Sequence, residues 1–335
     1  MTIGVVLVAY NASDIIIECL ESLLASTGAD VRIIVVDNCS QDATSRVIRD
    51  WTMTKSTLIE DPAKVTHLGQ SEIGLIRSSS NLGFAGGVNL GLEALIANPE
   101  VDYFWVLNPD CMTEPGTAAR LEARARSAGR FGVIGGRVLY TQTENTIQSD
   151  GGRINMWTGI CNPCHLGAAA DSTLAPAAVS LDYISGAHMF VSRAFIARAG
   201  LMPEDYFLYY EEMDWCHQRG DLPLLFEVEA VVRHHGGHTI GSATMERGPL
   251  PLSTYFLNRA RMKFMRKYRP IALPLVAAYS TARAIRSLVR GHSAAGWAAL
   301  RGIWGLSPPQ DIMARIGLDH LPVPRSRPPQ QRPHS

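Results

Sequence analysis

An apolar run ends abruptly on Asn108, Pro109 and Asp110. The apolar residues before it predict a buried strand, and that strand must end before Pro109, because proline has no N–H to donate to a sheet. Asp110 therefore follows the carboxyl end of a strand, where ligands bind in open α/β sheets. A carboxylate there, preceded by an amide, can hold a hard divalent cation that keeps open positions for phosphate oxygens. The alternative is a plain turn, since all three residue types favour turns.

Asp37 ends the second strand-like run, residues 31–36, and Asn38 follows it. A carboxylate at this place can accept hydrogen bonds from a ribose hydroxyl or a base edge. Ser40 and Asp42 follow, so part of this cluster can equally cap the next helix. Both interpretations stay open.

Residues 81–89 form a glycine-rich turn that leads into a predicted helix. Glycine permits positive φ and a close approach of the backbone, and a helix amino terminus favours an anion. The segment is neither a P-loop, since no Gly-Lys-Ser/Thr follows, nor the dinucleotide fingerprint, whose glycine spacing it misses. By itself it indicates little.

Three carboxylates, those of Glu211, Glu212 and Asp214, begin another predicted helix. Negative charge in a first turn complements the helix dipole, which would be a sufficient structural reason for them. Glu211 and Asp214 share one helix face, however, while Glu212 projects about 100° away. One carboxylate can therefore serve packing while another faces a cleft and acts as a general base towards an attacking hydroxyl.

Three histidines, His234, His235 and His238, follow a predicted strand. A neutral imidazole in this position is a plausible metal ligand. Three histidines so close together rarely form a complete site alone, so one of them joining the distant Asp110 is the better hypothesis.

These residues need a scaffold, and strand-like and helix-like segments alternate through the first 140 residues. Such alternation predicts an α/β fold, with a mostly parallel central sheet covered by helices. Residues 140–181 lack clear periodicity and predict an elaborated loop region. The pattern is helical from residue 251, and the composition from residue 307, rich in Pro, Arg and Gln, predicts disorder.

Composition limits the function classes. Basic and acidic residues balance at 31 each, so no overall field favours nucleic acid. Six cysteines in 335 residues do not make a disulfide framework. Cys161 and Cys164 resemble half of a zinc site, but no second pair stands nearby, so we interpret them as ordinary loop thiols. Without a recognisable signal peptide or bilayer-spanning run, a cytoplasmic setting is expected.

Basic residues gather after residue 258, on both sides of the apolar run at residues 270–282. This pattern predicts a basic helical segment that lies on an anionic membrane surface. The alternative is a helical hairpin packed on the domain, with a solvated basic face.

Taken in order, these segments resemble the inverting family 2 glycosyltransferases with a GT-A fold, in particular the rhamnosyltransferase-like branch. The resemblance spans roughly residues 1–305 and rests on segments 8–11, 36–44, 81–91, 107–110, 185–187, 205–214, the histidines from 234, and 258–261.

The resemblance implies a GT-A domain over residues 1–250, with a nucleotide-sugar half at 1–140 and an acceptor and catalytic half at 141–250. We expect it to be followed by the basic helical segment at 251–306 and the Pro/Arg-rich tail at 307–335.

The family's functional residues carry over onto the matching positions. The general base would be Glu212, with Glu211 and Asp214 as alternatives. The nucleotide-sugar would contact Ala9, Tyr10, Asn11, Asp37, Asn38, Asn81, Gly83, Phe84, Asn89, Asn108, Asp110, Gly186 and His188.

The implied cofactor is Mg²⁺ or Mn²⁺, held by Asp110 and completed by His234, with the adjacent His235 as the alternative ligand. Asn108 stands where such enzymes carry the first Asp of Asp-x-Asp. Whether Asn108 contacts sugar, ribose or metal therefore stays open.

The expected activity is transfer of a sugar, with inversion, from a nucleoside-diphosphate donor to a hydroxyl of a glycan or lipid-linked acceptor in cell-envelope polysaccharide biosynthesis. The leading donor is dTDP-rhamnose, with galactofuranose, N-acetylglucosamine and other hexoses as rivals. The expected location is the cytoplasm, with peripheral contact at the inner face of the plasma membrane, as a monomer or homodimer.

Two other classes stay open. A non-catalytic nucleotide-sugar or glycan-binding module would keep Asp37 and Asp110 but has no need for Glu212. A Rossmann-type oxidoreductase would share the alternating sheet, yet it needs its glycine fingerprint directly after the first strand, where residues 9–11 are Ala-Tyr-Asn.

Overall fold

The computed structural model describes residues 1–26, 28–143, 145–177, 180–236, 250–322 and 324–325. Its strands are β1 (Thr2–Ala9), β2 (Asp30–Asp37), β3 (Thr57–Ile59), β4 (Glu72–Arg77), β5 (Val101–Leu107), β6 (Cys111–Thr113), β7 (Val133–Tyr140), β8 (Ile147–Ser149), β9 (Gly152–Ile154), β10 (Cys161–Pro163), β11 (His188–Ser192) and β12 (Leu224–His234). Its helices are α1 (Ile16–Ala25), α2 (Thr44–Lys55), α3 (Pro62–Val65), α4 (Gly83–Ala97), α5 (Thr117–Ala128), α6 (Arg193–Ala199), α7 (Glu211–His217), α8 (Pro251–Tyr268), α9 (Leu273–Val289), α10 (Ser293–Ile303) and α11 (Gln310–Arg315).

One mixed sheet of ten described strands organises the chain, in the order β3-β4-β2-β1-β5-β11-β7-β12-β6, with β8 paired to β7. β1 lies between β2 and β5, and all three run parallel. Ala9 pairs with Asp37 and Leu7 pairs with Leu107, so these three strands end together. The predicted alternating α/β architecture is confirmed, and the residues that follow β1, β2 and β5 meet at one edge of the sheet.

The core lies on both faces of the sheet, because successive side chains of a strand point to opposite sides. Val6 and Val8 belong to one buried cluster with α4, while Val5 and Leu7 belong to the other with α1 and α5. The strands near the centre therefore have no polar face, as is usual for parallel sheets.

The glycine-rich segment serves close packing of α4 on β1. A Cβ at Gly87 would lie 2.5 Å from Cγ1 of Val8, and one at Gly91 would lie 2.6 Å from Cγ1 of Val6. Real Cβ contacts are longer than this, so only glycine permits the helix to approach so near. The approach fixes where the turn before α4 meets the sheet edge.

The C-terminal helices differ from expectation in one respect. Disorder was predicted from residue 307, but residues 310–315 form α11, and Ile312 and Met313 are buried against the body of the protein. Apolar side chains spaced along a short helix outweighed the Pro-rich composition around it. Residues 326–335 lie outside the described residues, as does residue 238 with its histidine. None of the described helices is both long and apolar enough to cross a bilayer.

Candidate active site

A pocket of about 260 Å³ opens where β1, β2 and β5 end. It brings together residues that are far apart in the sequence but were predicted to share a site: Tyr10, Asn38, Asn81, Gly83, Phe84, Asn108, Asp110, Gly186, Glu211, Glu212 and His234.

Two buried asparagines shape the pocket on the side of β2. Asn38 Nδ2 donates to Asn81 Oδ1 at 3.2 Å and to the carbonyl of Gly83 at 2.9 Å, while its Oδ1 accepts from the N–H of Leu82 at 3.0 Å. Gly83 has a φ of +73°, and a Cβ there would lie 2.4 Å from the carbonyl oxygen of Phe207. The asparagine pair therefore holds a turn that requires glycine.

Asp110 and His234 both line the pocket and are in direct contact, with Asp110 Oδ1 3.0 Å from His234 Nε2. The other imidazole nitrogen, Nδ1, lies 2.6 Å from Gln148 Oε1. Because an amide oxygen can only accept, Nδ1 must carry a proton, and in the neutral ring Nε2 then turns its lone pair towards the carboxylate. Burial opposes ionisation of Asp110, but the positive charge and the hydrogen bond that His234 supplies when its ring is protonated outweigh this and hold the pKa of the carboxyl below its ordinary value.

Cys111 and Asn108 lie beside this pair, but their side chains are less suited to bind a cation. Cys111 lies close enough to Asp110 and His234 to share an ion by distance alone. Burial raises the pKa of its thiol well above the ordinary value, and Sγ lies 3.6 Å from the Ala187 carbonyl, which fits a protonated S–H donor. Asn108 Nδ2 lies 3.3 Å from His234 Nε2 and can donate to it. The side chains here that are suited to bind a cation are thus Asp110, through a carboxylate oxygen, and His234, through an imidazole nitrogen.

Glu211 and Glu212 reach the pocket because two non-glycine residues precede them in the left-handed region. Tyr209 and Tyr210 both have a φ of +70°, a conformation that costs about 1–3 kcal/mol each and persists only where its surroundings enforce it. The buried Tyr210 hydroxyl donates to the carbonyl of Gly159, which fixes this turn. No sequence pattern indicated it.

The two carboxyl groups differ in their protonation. Burial raises the pKa of Glu212 to about 7. Burial and the neighbouring Glu212 charge together raise that of Glu211 well above its ordinary value. The backbone N–H of Gly186 donates to the Glu212 carboxylate, whereas Oε2 of each group has no hydrogen-bond partner among the described residues. Near neutral pH, Glu212 is the one that ionises while Glu211 stays protonated.

Asp214 does not line the pocket. It is fully buried and accepts hydrogen bonds from Tyr206 at 2.9 Å, Tyr268 at 2.6 Å and Lys267 at 2.8 Å. These partners tie α7 to α8, so Asp214 is a structural carboxylate and its candidacy as a base does not fit its position.

His188 likewise lies away from the pocket, fully buried in β11. Its Nδ1 accepts from Trp105 Nε1 at 2.8 Å, and its Nε2 lies 3.3 Å from the carbonyl of Ala230. Both nitrogens are satisfied, and burial lowers the pKa of the imidazole to about 4. Its expected nucleotide-sugar contact is therefore corrected to a core role. Ala9 and Asn11 also lie outside the lining.

Asn89 and Asp37 are occupied by their own surroundings. Asn89 exchanges two hydrogen bonds of 2.9 Å with the backbone of Met202 and so anchors the loop before α7. Asp37 accepts from the N–H of Ser40 at 2.8 Å and from the hydroxyl of Ser45. Neither lines the pocket. Asp42, and not Asp37, accepts from the N–H of Thr44 at the start of α2, at 2.9 Å.

Residues 4–163 match the family described as glycosyl transferase family 2.

Proteins to which this chain is similar include the succinoglycan biosynthesis protein ExoO of Rhizobium meliloti, 32% identical over 124 residues. That match covers 37% of this chain and 30% of the relative, so the chain aligns with under a third of that protein's length. The N-acetylglucosaminyl-diphospho-decaprenol L-rhamnosyltransferase of Mycobacterium tuberculosis is 25% identical over 255 residues, covering 71% of this chain and 77% of the relative.

Among solved structures, the mannosyltransferase PcManGT from Pyrobaculum calidifontis, in complex with GDP-Man and Mn²⁺, matches with a TM-score of 0.51 at 13% identity. The match covers 90% of this chain and 87% of that one. At this identity the likeness concerns the fold alone, and it confirms the expected GT-A architecture.

Sequence reasoning missed several residues at the candidate site. Phe207 and Leu208 line the pocket but sit within a segment noticed only for its resemblance. Arg315 and Ile316 line it from the far end of the chain, and Gln148 comes from the region without periodicity. Only the fold brings these positions to the site, so no local signal was available.

Cys161 and Cys164 remain free thiols in the structure. Burial raises the pKa of Cys161 to about 12. Neither belongs to a group of described residues that could hold a metal ion, and Cys161 lies in β10 rather than in a loop.

Proposed function

We propose that this chain is an inverting glycosyltransferase that moves a sugar from a nucleoside-diphosphate donor to an acceptor hydroxyl. One observation carries the proposal: the Asp110–His234 pair and the Glu212 carboxyl line the same pocket. An inverting transfer is assisted by a cation at the leaving diphosphate and by a base at the attacking hydroxyl, and this pocket offers a place for each.

The residues present fit a divalent metal. Gln148 holds His234 Nδ1 as a donor, so the lone pair of Nε2 and the Asp110 carboxylate converge. Two converging lone pairs repel unless a cation or a proton lies between them. Carboxylate oxygen and imidazole nitrogen suit Mg²⁺ or Mn²⁺, and a bound ion would neutralise the charge of the departing diphosphate as a Lewis acid. Gln148 would orient the histidine ligand from behind.

Glu212 is the proposed base. Its Oε2 has no partner among the described residues, and its pKa of about 7 leaves a large fraction ionised at neutral pH. A base with a pKa near the working pH combines the correct protonation state with sufficient basicity. The carboxylate takes the proton from the acceptor hydroxyl as that oxygen attacks the anomeric carbon, and the bond to the diphosphate breaks on the opposite face.

The donor is proposed to be dTDP-rhamnose and the acceptor a lipid-linked saccharide. The proposal rests on the likeness to the N-acetylglucosaminyl-diphospho-decaprenol L-rhamnosyltransferase of Mycobacterium tuberculosis. At 25% identity the sugar can differ, so UDP-galactofuranose and UDP-N-acetylglucosamine are the comparison donors.

A thermal-shift screen of these donors with and without Mn²⁺ tests the proposal. The correct donor with Mn²⁺ should stabilise the protein by about 2.7 kcal/mol at a concentration 100-fold above its Kd, and less without the ion. A diphosphate-release assay with an acceptor then separates an enzyme from a binding module. Binding without release or transfer would favour the module, and no shift with any donor would contradict the proposal.

The C-terminal helices supply a surface suited to an anionic bilayer. A groove between α8, α9 and the end of α10 is lined by the basic residues Arg259 and Lys263 and the apolar residues Ile285 and Trp304. Trp304 is 64% exposed. An amphipathic surface of this kind gains both apolar burial and attraction to anionic lipid, which would place the pocket near a lipid-linked acceptor.

Vesicle sedimentation tests this membrane contact. The protein should bind vesicles containing phosphatidylglycerol and not those of phosphatidylcholine alone, and Trp304→Ala should weaken binding by about tenfold, since burial of one large apolar side chain contributes about 1.5–3 kcal/mol. Met53→Ala is the matched control, because Met53 on α2 is 83% exposed and distant from the groove in sequence. Equal binding to both lipid compositions would contradict the proposal.

A further inference from the structure

The C-terminal segment at residues 310–317 packs against the pocket rather than leaving the domain. Ile312 and Met313 are buried in an apolar cluster with Leu208 and Leu252. Leu208 and Leu252 themselves line the pocket. The segment therefore forms part of the pocket wall, although it lies about 150 residues beyond the stretch that matches the family.

Hydrogen bonds fix this segment to the loops after β1 and β4. The Tyr10 hydroxyl donates to the carbonyl of Arg315 at 3.3 Å, and Asn81 Nδ2 donates to the carbonyl of Ile316 at 3.0 Å. At Gly317, where φ is +68°, a Cβ would lie 2.5 Å from Gln41 Nε2. The chain is thus held against the side of the pocket that Tyr10 and Asn81 line.

The position of Arg315 gives this wall a charge. The pocket carries the acidic side chains of Asp110, Glu211 and Glu212. Of its described lining residues, Arg315 is the one arginine or lysine. Arg315 is exposed, and it has no ion-pair partner among the described residues. The guanidinium is therefore available to an anion that enters the pocket.

We propose that Arg315 binds the diphosphate of the nucleotide-sugar donor, so that the C-terminal segment completes the donor site. The inference rests on the proposed function, because it takes a nucleoside diphosphate as the ligand. A guanidinium presents planar, paired N–H donors that match phosphate oxygens. Arg315 would add a second positive charge to that of an ion at Asp110, which favours a diphosphate over a monophosphate.

Isothermal titration with dTDP, UDP and GDP, each in Mn²⁺ and each beside its monophosphate, tests this assignment. For the nucleotide that wild type binds, Arg315→Ala should weaken diphosphate binding by about 10- to 100-fold, the effect of one charge-assisted contact. The same variant should lose less affinity for the monophosphate. Arg315→Lys should bind the diphosphate with an affinity between those of wild type and Arg315→Ala, since lysine keeps the charge without the paired donors.

Two further variants separate charge from structure. Arg130→Ala removes an equal charge at an exposed site paired to Asp221, and it should bind as wild type does. Ile312→Ala removes a buried contact of the segment and should lower the melting temperature and weaken both nucleotides alike.

The outcomes are distinct. The assignment is overturned if Arg315→Ala binds the diphosphate as tightly as wild type does, or more tightly. It is also overturned if this variant loses affinity for diphosphate and monophosphate equally, as Ile312→Ala should. If wild type binds none of the three diphosphates, the proposed function fails and this assignment falls with it.

Discussion

Replacing Glu212 with glutamine is expected to lower the rate of sugar transfer by about 10²- to 10⁴-fold while donor binding changes by less than about twofold. The amide keeps the size of the side chain and can still accept from the N–H of Gly186. It cannot take a proton from the acceptor hydroxyl. The loss should therefore appear in the turnover of a transfer assay and not in a donor titration.

The pH dependence of transfer follows from the same group. Burial raises the pKa of Glu212 to about 7, and the base must be ionised to act, so the wild-type rate should rise with pH and level off above about 7. The residual rate of Glu212→Gln should lack this step. A profile that levels off near the ordinary pKa of 4.5 would assign the base to a solvated carboxylate instead.

Stability should change with pH in the opposite sense. Because the folded pKa of Glu212 lies above its ordinary value of 4.5, the folded state holds a proton that the unfolded state has lost between pH 4.5 and about 7. Over this window the free energy of unfolding falls as pH rises. Denaturant unfolding of wild type and Glu212→Gln should show the variant gaining relative stability from pH 5 to pH 8.

Glu211→Gln is the matched control. Glu211 lies in the same pocket, but burial and the neighbouring charge keep its carboxyl protonated, and a neutral carboxyl and an amide differ little in size and charge. Transfer should fall by less than about tenfold. If Glu211→Gln abolished transfer and Glu212→Gln did not, the base assignment would be reversed.

The sequence predicted the scaffold well because its signals are local. The apolar run before Asn108 and the proline after it define where β5 ends, and β1 and β2 end at equally abrupt changes from apolar to polar residues. Parallel strands that end together bring such positions to one edge. The meeting of Asp110 with Asn38 and Tyr10 at one pocket could therefore be expected from pattern and resemblance.

The sequence could not predict the direction in which individual side chains point. His188 follows Gly186 by only two positions, yet Gly186 faces the pocket while His188 is buried against Trp105. Asp214 follows Glu212 by two positions, and its direction is set by Tyr206 and Lys267 from other elements. Such choices depend on tertiary partners that no local pattern contains.

Replacing Asp110 with alanine is expected to abolish metal-dependent transfer, by about 10³-fold or more, because a divalent ion contributes several kcal/mol to stabilising the charge of a leaving group. The variant loses the anionic partner of His234 and, with it, the oxygen donor that a hard cation prefers. Transfer measured across a series of Mn²⁺ concentrations should show neither saturation nor recovery.

Two neighbouring variants decide whether this loss comes from a metal site or from general damage to the pocket. Gln148→Ala leaves both proposed ligands in place but frees Nδ1 of His234, so the Mn²⁺ concentration for half-maximal rate should rise by about 10- to 100-fold. Cys111→Ala removes a thiol that lies as near but is protonated and directed at the Ala187 carbonyl, so it should leave the Mn²⁺ response unchanged.

A hard-cation site predicts that the effect on Mn²⁺-dependent transfer decreases in the order Asp110, Gln148, Cys111. A soft-metal site would instead be most sensitive to Cys111, and Mn²⁺ dependence that survives Asp110→Ala unchanged would move the site elsewhere.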